Sequence, residues 1–476
     1  MVFSSVIFLF IFLPWTLVVH YFLNPKYRNG FLLISSLLFY SWGEGLLTIL
    51  ILNSIFINYL GGLLIEYFKQ KNAGVAKLIL GTFILLNVLV LVYYKYFGFI
   101  IGNIQQLHVL TSVTLSPIHL PIGISFYTFH IISYLIDVYR KDAVSQKNPF
   151  DLGLYIFLFP QLVAGPIIRY KDISQKIANR FIIGEDFTKG AIRFIRGLAK
   201  KMIIANTVAI IADQAFGMNT QDIPSSVAWL GIICYTMQIY FDFSGYSDMA
   251  IGLGKMLGFN FPENFNYPYI ASSIRDFWQR WHISLSTWFR DYLYIPLGGN
   301  KVGKLKAYRN LFIVFFVTGL WHGASWNFIV WGMFHGCFLA IERLGFNKIL
   351  LKMPRFIQHM YTILVVVIAW VFFRADSLHY ALGYLKAMFG FSHSTNYIAV
   401  AQFDTYVLFM LIVSIVFCTN LRDLVEKTLV IQLEKMHLYV ANVYAVLRYA
   451  SYMLLFLFCI IELAQNNYNP FIYFRF

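Results

Sequence analysis

Charged side chains are scarce in this sequence. Asp, Glu, Lys and Arg make up 12% of its 476 residues, against roughly 25% in ordinary globular chains. That shortage excludes a soluble protein. Apolar residues reach 59%, aromatics 19% and mean hydropathy +0.66, more apolar surface than a water-soluble fold can hide. Cysteine is also rare: Cys234, Cys337, Cys418 and Cys459 are scattered through apolar runs with no CxxC pair. This excludes a disulfide framework or a cysteine metal site and leaves them as small core hydrophobes. A phosphate-binding glycine loop, a GxSxG elbow and an HExxH motif are all missing, so no metal or bound cofactor is expected. No internal repeat, low-complexity tract or linker separates domains, and residues 1–476 are expected to form one integral-membrane domain.

What is present is a series of apolar runs. Segments near 3–23, 78–98, 121–138, 203–217, 226–243, 357–373, 404–420 and 449–464 are read as spans. The first, Val2 to Leu23, lacks an early basic region and a small-residue cleavage site, so it reads as a retained span. The run 30–65 is too long for one helix and is interrupted at Gly43-Glu44-Gly45. The run 310–342, with its break expected at Gly323-Ala324-Ser325, would be roughly 50 Å long as one helix, against a hydrocarbon core near 30 Å.

The net charge of +15 sits in short stretches between these runs. It therefore marks topology and contact with anionic lipid headgroups, with no nucleic-acid partner. Connections 98–114 and 217–226 carry no Lys or Arg, whereas 66–77, 140–147, 169–201, 255–309 and 343–355 are basic. The basic set is assigned to the cytoplasm. The apolar stretch 150–166 then enters and leaves by one face, which lipid tolerates only if protein surrounds it. Over 187–202, Lys189, Arg193, Arg196 and Lys200 share one helical face opposite Ala191, Ile195, Leu198 and Met202, the pattern of an anchoring interfacial helix.

Polar residues concentrate between Tyr235 and His335, and the catalytic core is placed at about 235–342. Asp242 and Asp248 adjoin an apolar span, where they serve either a structural network or the chemistry. Next come Asp276, Arg280, Trp281, His282, Arg290 and Asp291. On a continuous helix Asp276 and Arg280 are neighbours, as are Trp278 and His282. Three tryptophans in eleven residues here (Trp278, Trp281, Trp288) also fit an aromatic belt at headgroup level. Pro296 to Asn300 reads as a turn. The third cluster is Trp321-His322-Gly323-Ala324-Ser325-Trp326-Asn327. No charged residue accompanies His322 between Asn310 and Ile341. Imidazole suits base chemistry near neutral pH, and a helix–helix hydrogen bond is the structural alternative. His335 reads as a packing residue, and His20, His108 and His437 have no comparable setting.

The segments Asp276–Ser286 and Arg290–Asn300, together with Leu320–Ala324 continuing through Trp331-Gly332 to His335-Gly336, resemble the membrane-bound O-acyltransferase family. The likeness is closest to its bacterial branch of alginate and peptidoglycan O-acetyltransferases, which 240–262, Val163–Arg169 and the tail Asn469–Phe476 also resemble. The resemblance implies an all-α fold of about eleven transmembrane helices, with re-entrant and interfacial helices, around a funnel and tunnel. It matches His322 to the catalytic histidine and His282 to the second family histidine. Asp242, Asp276, Arg280, Trp281, Asp291, Trp321 and Asn327 are then expected to bind substrate or support the site.

The expected reaction uses His322 as general base on a sugar hydroxyl that attacks a thioester, acetyl-CoA or another acyl donor. His282 or a nearby Trp or Asn would stabilise the oxyanion. The resemblance further implies a bacterial inner-membrane location, an extracytoplasmic polysaccharide acceptor and a secreted acetyltransferase partner. Three alternatives stand beside it: an acyl or anion transporter using His322 as a proton relay, a structural subunit of an export complex, and a teichoic acid D-alanyltransferase.

Overall fold

The computed structural model describes residues 1–108, 118–181, 183–392, 404–433, 438–465 and 472. The tail 469–476, apart from Ile472, lies outside them, as do His437 and the end of the 98–114 connection. The described residues form helices and connecting loops, with no strand among them. Among the described residues, five helical stretches are long and apolar enough to cross a membrane: Pro25–Lys71, Ala73–Gln106, Trp326–Leu350, Arg355–Arg374 and Asn442–Gln465. Phe8–Phe22 and Thr405–Phe417 are shorter apolar helices. The protein is a multi-pass membrane protein.

Both expected breaks are present. Pro25–Glu44 and Thr48–Lys71 are joined by a 3-10 turn over Gly45–Leu47. Gly45 has φ +53°, a left-handed value that glycine adopts without steric cost. Lys304–His322 and Trp326–Ile341 are separated by residues 323–325. These two helices form a hairpin whose backbones approach through glycine. A Cβ on Gly319 would lie 2.4 Å from the Phe328 carbonyl oxygen, and one on Gly332 would lie 2.3 Å from that of Phe315. Close packing through small residues is how helices associate where lipid supplies no hydrophobic drive.

The chain divides into two compact units, each assembled from separated segments. One comprises Met1–Ala191, Met249–Pro262 and Trp288–Leu293; the other comprises Ile192–Asp248, Glu263–Thr287 and Tyr294–Phe476. In the first, Phe3, Phe8, Phe12, Phe39 and Phe159 form an aromatic core. The stretch expected to need protein around it has that setting: Leu152 to Phe159 and Ala164 to Ile168 are buried. Its backbone leaves the helix Pro149–Phe157 at Leu158. Tyr155 ties the stretch down by donating to the Ile168 carbonyl at 2.9 Å.

Several expectations are corrected. The amphipathic segment is not a separate helix. Gly184–Ala199 runs through a π-turn, Lys200–Ala205, into Asn206–Phe216. Part of its basic face meets protein carboxylates: Arg193 and Lys200 both bond Asp248, at 2.9 and 2.7 Å. The three tryptophans form no headgroup belt. Trp278, Trp281 and Trp288 are 9%, 3% and 6% exposed because each packs on aromatic neighbours inside its unit, Trp288 on Phe129 at 3.9 Å. Cys337 is exposed while the other three cysteines are buried. His20 is buried with neither ring nitrogen bonded among the described residues, so its setting is closer to that of the core histidines than its sequence context indicates.

Candidate active site

Two of the singled-out histidines lie in the second unit, linked through one tryptophan. His322 is the last residue of Lys304–His322, and Gly323 beyond it is fully extended. Its imidazole is buried among three aromatic rings: Trp321 at 4.9 Å, Trp331 at 5.0 Å and Phe373 at 5.1 Å between centroids. Trp321 reaches the other way to His282, 6.1 Å between rings. Trp331 lies on the second hairpin helix, so the glycine packing at 319 and 332 also fixes how that indole meets His322.

His282 is not on a helix with Trp278. The helix Ile274–Arg280 ends, Trp281 is extended, and His282 has φ +43°. A bulky residue in the left-handed region costs of order 1–3 kcal/mol, held by the surroundings. Those surroundings are explicit. The Asn264 side-chain oxygen accepts the backbone N–H of Ser284 at 3.3 Å and the Ser284 hydroxyl at 2.9 Å. Its amide nitrogen donates to Ser247 Oγ at 2.9 Å. A backbone N–H can only donate, so the amide orientation is fixed, and the His282 Nδ1 atom, 3.0 Å from the same oxygen, carries the proton. Nε2 is left as a lone-pair acceptor, buried and without a partner among the described residues. This loop lies outside the long apolar helices, and burial pushes the imidazole down to about 3, so the ring is neutral at physiological pH.

The neighbouring residues build this geometry. Asp276 bonds Arg280 at 2.7 Å, the i,i+4 pair expected, and accepts the Ser272 N–H while Ser273 caps the same helix. Glu342, not singled out in the sequence, accepts the backbone N–H groups of Ile274 and Arg275 at 2.6 and 3.0 Å, placing a carboxylate at the positive helix end. Trp281 is the centre of an aromatic cluster with Trp370, Phe265 and Phe277. His335 packs against Phe277, Trp278 and Trp331. Asn327, in the first turn of Trp326–Ile341, donates to the Ala375 carbonyl.

Asp242 pairs with Lys201 at 2.9 Å, both side chains buried, and accepts the backbone N–H of Ile472 at 2.8 Å. Asp291 belongs to the first unit, where Arg169 and Arg290 bond it. Residues Pro296 to Asn300 form the expected turn, with Gly298 at φ +100° and Gly299 at φ +52°. Asn310 closes it onto the Leu297 carbonyl at 2.9 Å. Among the described residues no group of three His, Cys, Asp or Glu side chains is placed to hold a metal.

Asn264 and Trp331, like Glu342, have no role assigned from the sequence. An isolated Asn in a loop carries no signal of its own. Trp331 had one, since it lies within the motif that ends at His335. Its indole N–H is buried with no acceptor among the described residues.

Comparison with known proteins agrees with this architecture. The membrane-bound O-acyltransferase family matches residues 36–382. A probable alginate O-acetylase, AlgI, of Pseudomonas putida is 42% identical over 498 aligned positions, covering 100% of both chains. A peptidoglycan O-acetyltransferase of Helicobacter pylori is 37% identical over 82% of this chain and 80% of its own. A teichoic acid D-alanyltransferase of Bacillus subtilis is 30% identical over 53% of this chain and 66% of its own. The chain belongs to the membrane-bound O-acyltransferase family and is an O-acyltransferase.

Proposed function

We propose that the protein moves an acetyl group from a cytoplasmic thioester, acetyl-CoA or an acyl carrier, to a hydroxyl on the far side of the bacterial inner membrane. The acceptor is an envelope polysaccharide of the alginate or peptidoglycan kind, reached directly or through a secreted acetyltransferase. The names of the full-length relatives support that acceptor class; the D-alanyltransferase likeness covers only about half of the chain. The observation that carries the reading is His322 at the tip of a helical hairpin, buried against Trp331 and Phe373. Both hairpin ends lie beside basic connections, so the tip points away from the cytoplasm.

His322 acts as general base. It takes the hydroxyl proton as the oxygen bonds the thioester carbonyl carbon, and the C–S bond breaks. The leaving thiolate then receives the proton from the imidazolium. His282 was a candidate oxyanion donor, but with its proton on Nδ1 it has none at Nε2 to give. It acts instead as an acceptor that holds a substrate N–H or O–H. The Trp331 indole N–H, beside His322, takes the donor role. Asp242, Asp276, Arg280, Trp281, Trp321 and Asn327 position these groups.

The test is alkali-labile acetate on the host's envelope polysaccharide, comparing wild type with His322→Ala at matched membrane abundance. Loss of a positioned general base is expected to lower transfer by about 10²–10⁴-fold. Retained acetate would remove His322 from the mechanism and bring the transporter and export-subunit readings forward.

A further inference from the structure

A second feature of the same unit is independent of the histidines. The helices Thr405–Phe417, Leu421–Leu433 and Leu438–Gln465 frame a groove of about 620 Å³, within the roughly 300–1,000 Å³ typical of ligand pockets. Its walls are apolar, including Val416, Phe417, Leu429 and Leu447, and Arg422 and Arg448 line it with Glu426.

The charges there are unbalanced. Glu426 bonds Arg422 at 3.2 Å and Arg448 at 2.8 Å, and Arg196 also faces it at 3.7 Å. The nearby Asp423 is hydrogen-bonded to Tyr267. With Asp423 counted, two carboxylates face three guanidinium groups, each with five N–H donors, and one positive charge is in excess. Arg422 and Arg448 remain 35% and 36% exposed. Arg448 moreover lies within the apolar span Asn442–Gln465, where a cation that shares its carboxylate with two others is costly. The surrounding faces of that span are turned outward, with Val446, Leu447, Met453 and Leu454 all more than half exposed.

We infer that this groove binds an anionic phospholipid, its phosphate paired with Arg422 and Arg448 and one acyl chain laid along Phe417, Leu429 and Leu447. Charge complementarity selects this occupant. The arginines attract a headgroup of net negative charge and repel the cation of a zwitterionic choline lipid, and the apolar walls suit a chain that a soluble anion lacks. Arg196, which faces Glu426 at 3.7 Å, belongs to the basic connection 169–201 assigned to the cytoplasm, so this end of the span falls in the cytoplasmic leaflet, where anionic lipid is drawn to juxtamembrane arginines.

Native mass spectrometry of the purified full chain, titrated with phosphatidylglycerol or phosphatidylcholine, tests the inference. Wild type is expected to retain phosphatidylglycerol selectively. Arg422→Gln with Arg448→Gln should lose about 25-fold in that affinity, at about 1 kcal/mol per arginine. Leu447→Trp, which fills the groove without touching a charge, should also reduce retention and so controls for misfolding of the double variant. Equal retention of the two lipids, or wild-type retention by both variants, would overturn the inference. So would displacement of phosphatidylglycerol by inorganic phosphate alone, which would mark a soluble-anion site.

Discussion

The Asn264 side-chain oxygen and the His282 Nδ1 atom lie 3.0 Å apart, and because that oxygen also accepts from the Ser284 backbone, the pair fixes which imidazole nitrogen keeps its lone pair. This relationship separates two roles for a histidine beside the site. A ring protonated at Nε2 would donate to a developing oxyanion, whereas this one accepts.

Replacing Asn264 should therefore affect both folding and chemistry. Asn264→Ala strands the His282 and Ser284 donors in a buried setting, at roughly 1–3 kcal/mol for each unsatisfied group. A lowered thermal midpoint together with reduced acetyl transfer is expected. A variant with wild-type stability and activity would show that the tautomer is immaterial.

The buried pair of Lys201 and Asp242 should behave as a unit. Asp242→Ala leaves an ammonium without its carboxylate, at about 3–5 kcal/mol, while Lys201→Met with Asp242→Leu should recover most of that loss. A double-mutant cycle on thermal unfolding measures the coupling. Additive losses would contradict it.

The hairpin offers a test remote from any reacting group. Gly332→Ala forces a Cβ against the Phe315 carbonyl, and overpacking of this kind costs about 1–3 kcal/mol. Because it shifts Trp331 against His322, a fall in turnover of up to about 100-fold is expected. The acetate measurement on membranes with matched protein levels checks it.

Asp291 supplies a pH signature. Burial opposes its ionisation, but the Arg290 hydrogen bond and the charges of Arg290 and Arg169 outweigh it and hold the carboxyl below the usual range. The folded value thus lies below the unfolded one, near 3.9, so this ion cluster contributes stability above about pH 4 and loses it as the pH falls through the folded value. Thermal midpoints of wild type should exceed those of Asp291→Asn at pH 6 and converge with them toward pH 3. A constant difference across that range would exclude the linkage.

The parts legible in the sequence were those written in local contrast. A polar or glycine interruption in an apolar run marks a helix break because lipid tolerates no unsatisfied backbone; the break expected at 43–45 begins at Gly45 and runs to Leu47, and that at 323–325 falls where expected. The i,i+4 pair of Asp276 and Arg280 is likewise a local rule. Features set by long-range contact were not legible. Periodicity carries Ile274–Arg280 on through His282, whereas the left-handed turn there is held by contacts from Asn264, eighteen residues upstream, both side-chain and backbone. The basic face of 187–202 looks alike whether it meets lipid phosphate or Asp248. Its partners come from another helix, and their side chains had to be placed before the two roles could be told apart.

The π-turn at Lys200–Ala205 makes chain length itself a structural constraint. Such a turn holds one residue more than the α-helical repeat requires, and it lies where two consecutive lysines reach two different carboxylates, Asp248 and Asp242, on one opposing helix. Because the surplus residue is taken up inside the turn, the helix beyond it keeps the face it would have without it, and a one-residue deletion within 200–205 would upset chiefly the spacing of the two lysines. The same deletion at the start of Asn206–Phe216 has no such slack: it swings every later residue by about 100° and turns the largely buried residues 206–216 off their neighbours. Where the chain loses a residue therefore matters more than which residue it loses.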